Sequence, residues 1–212
     1  MLGKRKKFPV FLWFAVFLLG AASSAKLASA ADSPMAQIQS TVEKILAVVQ
    51  NPDLKPEAKR EQRRAELRRI IYPKFDFEEM AKRSLGPEWQ RRTREEQQEF
   101  TKAFTGLLEK SYLDKIESYD GEKFRYLRET GDQNSAEVDT TVINKKGQEF
   151  SINYKLHQVG GGWRIYDVVI ENISLVNNYR SQFARVLTKS SFDQLVSAIK
   201  EKRLAAGEKE KK

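Results

Sequence analysis

Phe150-Ser151-Ile152-Asn153-Tyr154-Lys155-Leu156 alternates apolar and polar side chains without a break. A period of two places Phe150, Ile152, Tyr154 and Leu156 on one face of an extended chain and the polar residues on the other, which is the pattern of a strand with one buried face. His157 continues the polar side and is expected to face solvent. Outward from this stretch, Val138, Thr140 and Val142 alternate in the preceding run and Phe124 and Tyr126 in the one before it. Trp163 to Glu171 forms a fourth run, apolar on both faces. The connectors are short turn signals at Gly131-Asp132, Asn144 to Gly147 and Gly160 to Gly162. Such turns join antiparallel neighbours and leave no length for crossover helices. The Gly160 to Gly162 run is a hairpin turn and not a phosphate cradle, because a strand follows it rather than a helix N-terminus.

On both sides of this meander the period is helical. Ser33 and Pro34 form a cap and first-turn pair, followed by Met35, Ile38, Val42, Ile45 and Val49. Asn51 to Pro56 break that helix, and a second begins near Glu57, carries Leu67, Ile70 and Ile71, and ends before Pro73. Asp76 with Glu79 resembles a capping box, Phe75 and Met80 are spaced as a hydrophobic staple, and Gly86-Pro87 ends the short helix. Thr93 with Glu96 is a second capping box. It opens the longest helix, to about Ser118, with Phe100, Phe104, Leu107, Leu108, Tyr112 and Ile116 on one side. Ser174, and then Ser190 or Ser191, cap two closing helices that carry Leu175, Val176, Tyr179 and Phe183, then Phe192, Leu195, Val196 and Ile199.

The fold class is therefore α+β: a curved antiparallel four-stranded sheet packed against several helices, with an apolar cavity between the layers. There is no internal repeat and no second domain. The aromatic residues of the helices suit either a filled core or a pocket wall, and periodicity alone does not separate the two. What favours a pocket is the absence of any competing chemistry, since an exported domain with many apolar helix faces and no polar catalytic cluster is suited to holding apolar ligands.

The amino terminus sets the compartment. Lys4 to Lys7 are basic, Phe8 to about Ala22 are apolar, and Ala28-Ser29-Ala30 is a small-residue cleavage motif. Residues 1–30 read as a cleavable signal peptide, with the mature protein starting at Ala31, because an apolar run of about fifteen residues is shorter than the roughly 20 that span a bilayer. A lipid anchor at the cleavage point would need a cysteine, and the chain has none. The expected product is a soluble exported protein: one domain over residues 31–206 and a charged, disordered tail over 207–212. Residues 1–30 hold five of the 38 basic residues and none of the 29 acidic ones, so the mature net charge is about +4 rather than +9. That excess is too small to imply a nucleic-acid-binding face.

With no cysteine and one histidine, thiol chemistry, cysteine-based zinc sites and multi-histidine metal sites are removed together. Asp139 and Asp167 lie in strands and are the carboxylates that an isomerase-like enzyme would use if they met across the sheet. Asp167 is the stronger of the two, because its strand is apolar on both sides and a buried carboxylate needs a partner. A structural hydrogen bond to backbone, Tyr or Arg explains it more simply. No catalytic residue, cofactor or metal is assigned.

Gly162-Trp163-Arg164-Ile165-Tyr166-Asp167-Val168-Val169-Ile170-Glu171-Asn172-Ile173-Ser174-Leu175-Val176-Asn177-Asn178-Tyr179-Arg180-Ser181-Gln182-Phe183 resembles the signature of the MlaC family, the toluene-tolerance auxiliary proteins. Phe75-Asp76-Phe77, Ser84-Leu85-Gly86, Trp89 and the Phe100–Phe104 helix resemble its second recurring block. The resemblance implies a periplasmic phospholipid carrier, monomeric, shuttling lipid between an outer-membrane lipoprotein complex and an inner-membrane ABC transporter with an MCE-domain subunit, and so maintaining outer-membrane lipid asymmetry. It places a pocket wall at Phe150, Ile152 and Tyr154 and at the junction residue Ile173, with the bound phospholipid as cargo. Periodicity adds Phe104, Leu108, Tyr112, Val142, Ile170, Val176, Tyr179 and Phe183 as further wall positions. A carrier of another lipid such as a hopanoid, an enzyme using Asp167, and an adaptor with a filled core are the alternatives.

Overall fold

The computed structural model describes residues 33–201, so the signal peptide and the charged tail lie outside the described residues. Six helices and an antiparallel sheet follow in the order expected. Helix α1 (Pro34–Gln50) starts at Ser33, whose hydroxyl accepts from the Ala36 N–H at 3.1 Å. Helix α2 (Arg60–Ile71) is preceded by a short 3-10 turn at Glu57–Lys59. Helix α3 (Phe77–Leu85) begins with half of the expected box: Asp76 accepts from the Glu79 N–H at 2.9 Å, while the Glu79 carboxylate turns instead to Lys82 and Arg83. Gly86, at φ +66°, ends α3 in a conformation open to glycine. Helix α4 (Arg94–Glu117) has both arms of the Thr93–Glu96 box, at 3.2 and 2.7 Å. Helices α5 (Leu175–Leu187) and α6 (Phe192–Lys200) are capped by Ser174 and Ser191.

The sheet is a meander of β1 (Lys123–Gly131), β2 (Ser135–Ile143), β3 (Glu149–Val159) and β4 (Gly162–Ile170), antiparallel throughout. It has five strands rather than the expected four, because Ile173 and Ser174 fold back on β4 as β5 (Ile173–Ser174). The cause is a two-residue turn in which Glu171 and Asn172 both have positive φ, at 48° and 62°. That geometry reverses a strand within two residues. Further along the same edge of β4, Phe75 forms a parallel bridge with Ile165 and the Asp76 N–H donates to the Ile165 carbonyl at 2.8 Å. Two bulges bend the sheet. One leaves Leu127 of β1 unpaired, and the other leaves Tyr166 of β4 unpaired opposite the Lys155–Leu156 step.

The interior divides into layers. Between helices, Phe100, Phe104, Tyr179 and Phe183 are fully buried and meet edge-on or stacked, with ring centres 5.1–6.1 Å apart. Against the sheet, Val138, Leu156, Ile165 and Val168 form a second cluster with Ile38 of α1 and Leu175 of α5. Phe75 and Tyr112 touch both clusters and join the layers. A polar clamp fixes α2 to α4: Arg63 and Arg64 both bind Glu117, at 2.7 Å each, and Arg68 binds Glu109 at 2.7 Å. Burial works to raise the Glu117 and Glu109 carboxyls, but the arginine hydrogen bonds outweigh it and hold both below the usual carboxylate range.

Candidate ligand-binding face

Cross-strand partners share a face of a sheet, so the register sorts the apolar residues into rows. Phe124, Val142 and Phe150 make the first row, and Tyr126, Thr140, Ile152, Ile170 and Ile173 the second. Val138, Tyr154 and Val168 make the third, and Ala136, Leu156 and Ile165 the fourth. Exposure falls along β3 from Phe150 to Leu156. Ile173 is 48% exposed and Phe150 39%, Ile152 and Tyr154 are half-buried, and Leu156 and Val138 are 0% exposed.

Helix α1 closes the buried end. The Met35 N–H donates to Glu129 at 2.7 Å and the Gln37 amide to the Trp163 carbonyl at 3.0 Å, so the helix N-terminus is tied to β1 and to the start of β4. Met35, Ile38 and Val42 pack on the sheet there, whereas Ile45, Leu46 and Val49 turn away to Leu67 and Leu113 of α2 and α4. The rows beside Phe150 and Ile173 are left without that cover.

Four tyrosines supply the polar groups of this interior. Burial pushes the Tyr154 phenol up to about 12, with Tyr126 adding to the effect, and burial also raises Tyr112, Tyr126 and Tyr179. Tyr154 is thus surrounded by protein while part of its surface stays accessible.

The residues proposed as wall from sequence divide between two places. Val142, Phe150, Ile152, Tyr154, Ile170 and Ile173 lie together on the sheet face. Phe104, Leu108, Val176, Tyr179 and Phe183 lie in the inter-helix cluster, and Tyr112 stands between the two. Tyr126, Val138 and the α1 residues Met35 and Val42 also belong to the sheet-face cluster or pack against it. The strand positions were marked by their alternation, but nothing in the α1 sequence says which layer its stripe covers.

The carboxylates considered for catalysis are kept apart by β3 and engaged separately. Asp139 binds Arg128 at 2.7 and 2.9 Å, and Asp167 accepts from the Ser174 hydroxyl at 2.6 Å and the Val176 N–H at 3.1 Å. His157 is not free at the surface. Its Nε2 lies 2.9 Å from Asp76 and its ring meets Tyr166, so it braces the start of α3. Among the described residues, no group of acidic or histidine side chains is arranged to hold a metal, and no helix is long and apolar enough to cross a membrane.

The sheet thus presents a graded apolar face, covered by α1 at one end and uncovered at the other, in an α+β domain of layered helices and sheet. The chain is a member of the MlaC protein family, whose pattern matches residues 39–201. It is 24% identical over 196 residues to the intermembrane phospholipid transport system binding protein MlaC of Haemophilus influenzae, covering 89% of this chain and 92% of that one. It is 26% identical over 176 residues to the toluene tolerance protein ttg2D of Pseudomonas putida, covering 79% of each. The fold matches the phospholipid-binding protein of Ralstonia solanacearum, solved in complex with a phospholipid, with a TM-score of 0.70, 26% identity, and coverage of 79% of this chain and 94% of the other.

Proposed function

We propose that the protein is a soluble, monomeric periplasmic carrier of phospholipid, passing lipid between an outer-membrane lipoprotein complex and an inner-membrane ABC transporter with an MCE-domain subunit. The observation that carries this reading is the exposure gradient from Ile173 to Leu156 on one continuous apolar face. The phospholipid bound by the Ralstonia solanacearum protein supports the ligand class, and the name of the Haemophilus influenzae relative supports the role in transport.

The energetics favour a carrier. Each CH₂ removed from water is worth about 0.8 kcal/mol, so moving two bare acyl chains through water costs on the order of 20 kcal/mol. A carrier removes that barrier if its interior matches the bilayer to within a few kcal/mol, and a far better match would hinder delivery. A face made mainly of hydrocarbon and tyrosine rings meets this requirement and leaves the headgroup little to contact, so weak headgroup selectivity is expected.

Native mass spectrometry of protein purified without detergent tests the reading. One phospholipid per chain is the expected result. A protein that carries no lipid, and takes none up from phospholipid vesicles, refutes it; a hopanoid in place of phospholipid refutes the ligand class.

A further inference from the structure

Opposite the apolar face, the sheet carries charge. Lys155 sits between Tyr154 and Leu156 in β3 and so points to the other side, and its cross-strand partner Asp167 shares that side. The bulge brings Tyr166 to the same side. With α3 and the start of α5, these residues line an open cavity of about 340 Å³, together with the exposed Lys82, Arg83, Asn177 and Arg180.

The ionic partners are unevenly distributed. Glu79 holds Lys82 at 3.1 Å and Arg83 at 2.8 Å. Asp167 is engaged by Ser174 and Val176. Lys155 and Arg180 have neither an ion pair nor a hydrogen bond among the described residues, although Lys155 is half-buried. Lys155 and Arg180 thus carry charges with no partner among the described residues, and an anion in the cavity would supply one. The basic groups are also held in position. A Cβ at Gly86 would come within 3.1 Å of the Arg180 Nε, so glycine there lets the guanidinium lie against the backbone, and the Arg83 guanidinium stacks over the Tyr166 ring at 4.2 Å.

We propose that this cavity binds a phosphate-type oxyanion, with Lys155 and Arg180 as its charge partners and the Asn177 amide as a neutral donor. A planar carboxylate is satisfied by one guanidinium fork. Cations converging from α3, β3 and α5 around a concave space match a group with oxygens on all sides, which a phosphate has. Two sources offer that chemistry: free inorganic phosphate and the phosphodiester of a lipid headgroup. The site lies across the sheet from the apolar face, and its binding of free phosphate does not require bound lipid.

The test is a titration of the purified protein with inorganic phosphate at constant ionic strength, followed through the backbone amide NMR shifts of Gly86 and Asn177, with chloride as the reference salt. Saturable shifts in phosphate and none in chloride are expected, with affinity weakened about tenfold in Lys155→Gln and in Arg180→Gln and retained in Lys155→Arg. Shifts that never saturate, that chloride reproduces, or that survive both neutral substitutions overturn the proposal. Repeating the titration on lipid-free and lipid-loaded protein separates the sources. Equal saturation in both assigns the site to the free anion, and saturation in the lipid-free protein alone assigns it to the headgroup. Because the phosphate shifts need no bound lipid, a failure of lipid carriage and a failure of this site are read separately.

Discussion

The carboxylate of Asp167, in the middle of β4, accepts a hydrogen bond from the Val176 N–H in the first turn of α5 at 3.1 Å. A buried acid thus stabilises a helix N-terminus from a neighbouring strand, reinforced by the Ser174 hydroxyl at 2.6 Å. Asp167→Asn is expected to cost about 1–3 kcal/mol and Ser174→Ala about 1 kcal/mol. Both act through one carboxylate, so the double substitution should cost less than the sum of the two. Urea unfolding of the four proteins measures this, and strict additivity would show that the two contacts are independent.

Ile173→Glu separates binding from stability. At 48% exposure the residue has little burial to lose, so stability should change by less than about 0.5 kcal/mol. A carboxylate at the open end of the apolar face should lower lipid occupancy about tenfold, which corresponds to roughly 1.4 kcal/mol. Leu127→Glu, at the β1 bulge and 59% exposed, is the control and should leave occupancy unchanged. Native mass spectra of the two variants, compared with the parent, give the answer.

Stability should fall on the alkaline side in a way traceable to Tyr154. Its phenol titrates at about 12 in the folded state against about 10 in an unfolded chain. Between those values the unfolded chain binds fewer protons, so the contribution is complete below pH 10 and is lost as pH rises towards 12. Tyr154→Phe removes that group, and the decline of the urea midpoint between pH 9 and 11 should be shallower in the variant. Identical slopes would mean that the phenol is not buried.

One buried hydroxyl, that of Ser84, has no hydrogen-bond partner among the described residues, and the residue is 0% exposed. A buried group that makes no bond contributes only its desolvation cost. Ser84→Ala is therefore expected to be neutral or stabilising, by up to about 1 kcal/mol. A loss above about 1 kcal/mol, read from thermal or urea unfolding, would reveal a partner for that hydroxyl.

What was legible in the sequence was local. The serine and threonine caps, the period-two runs and the turn glycines act within a few residues, and they placed the helices and the long strands. The fifth strand escaped because Glu171 is not a residue type that signals positive φ. The α2–α4 clamp and the His157–Asp76 pair join residues far apart in sequence, and no local pattern announces them. For the candidate site, alternation identified the sheet face. It could not separate helix residues that line that face from those such as Phe104 and Phe183 that fill the space between helices, because both sets repeat at the same 3.6-residue spacing.

The graded face also has a length. From Phe150 to Leu156 the chain advances six residues of an extended strand, about 20 Å at roughly 3.3 Å per residue. One leaflet of a bilayer contributes about 15 Å of hydrocarbon. If the proposed function holds, a fatty tail entering from the exposed end would stop near Tyr154, because Leu156 is 0% exposed and already packed with Ile38 of α1. On that reading, a tail longer than the uncovered stretch of β3 would have to bend or protrude.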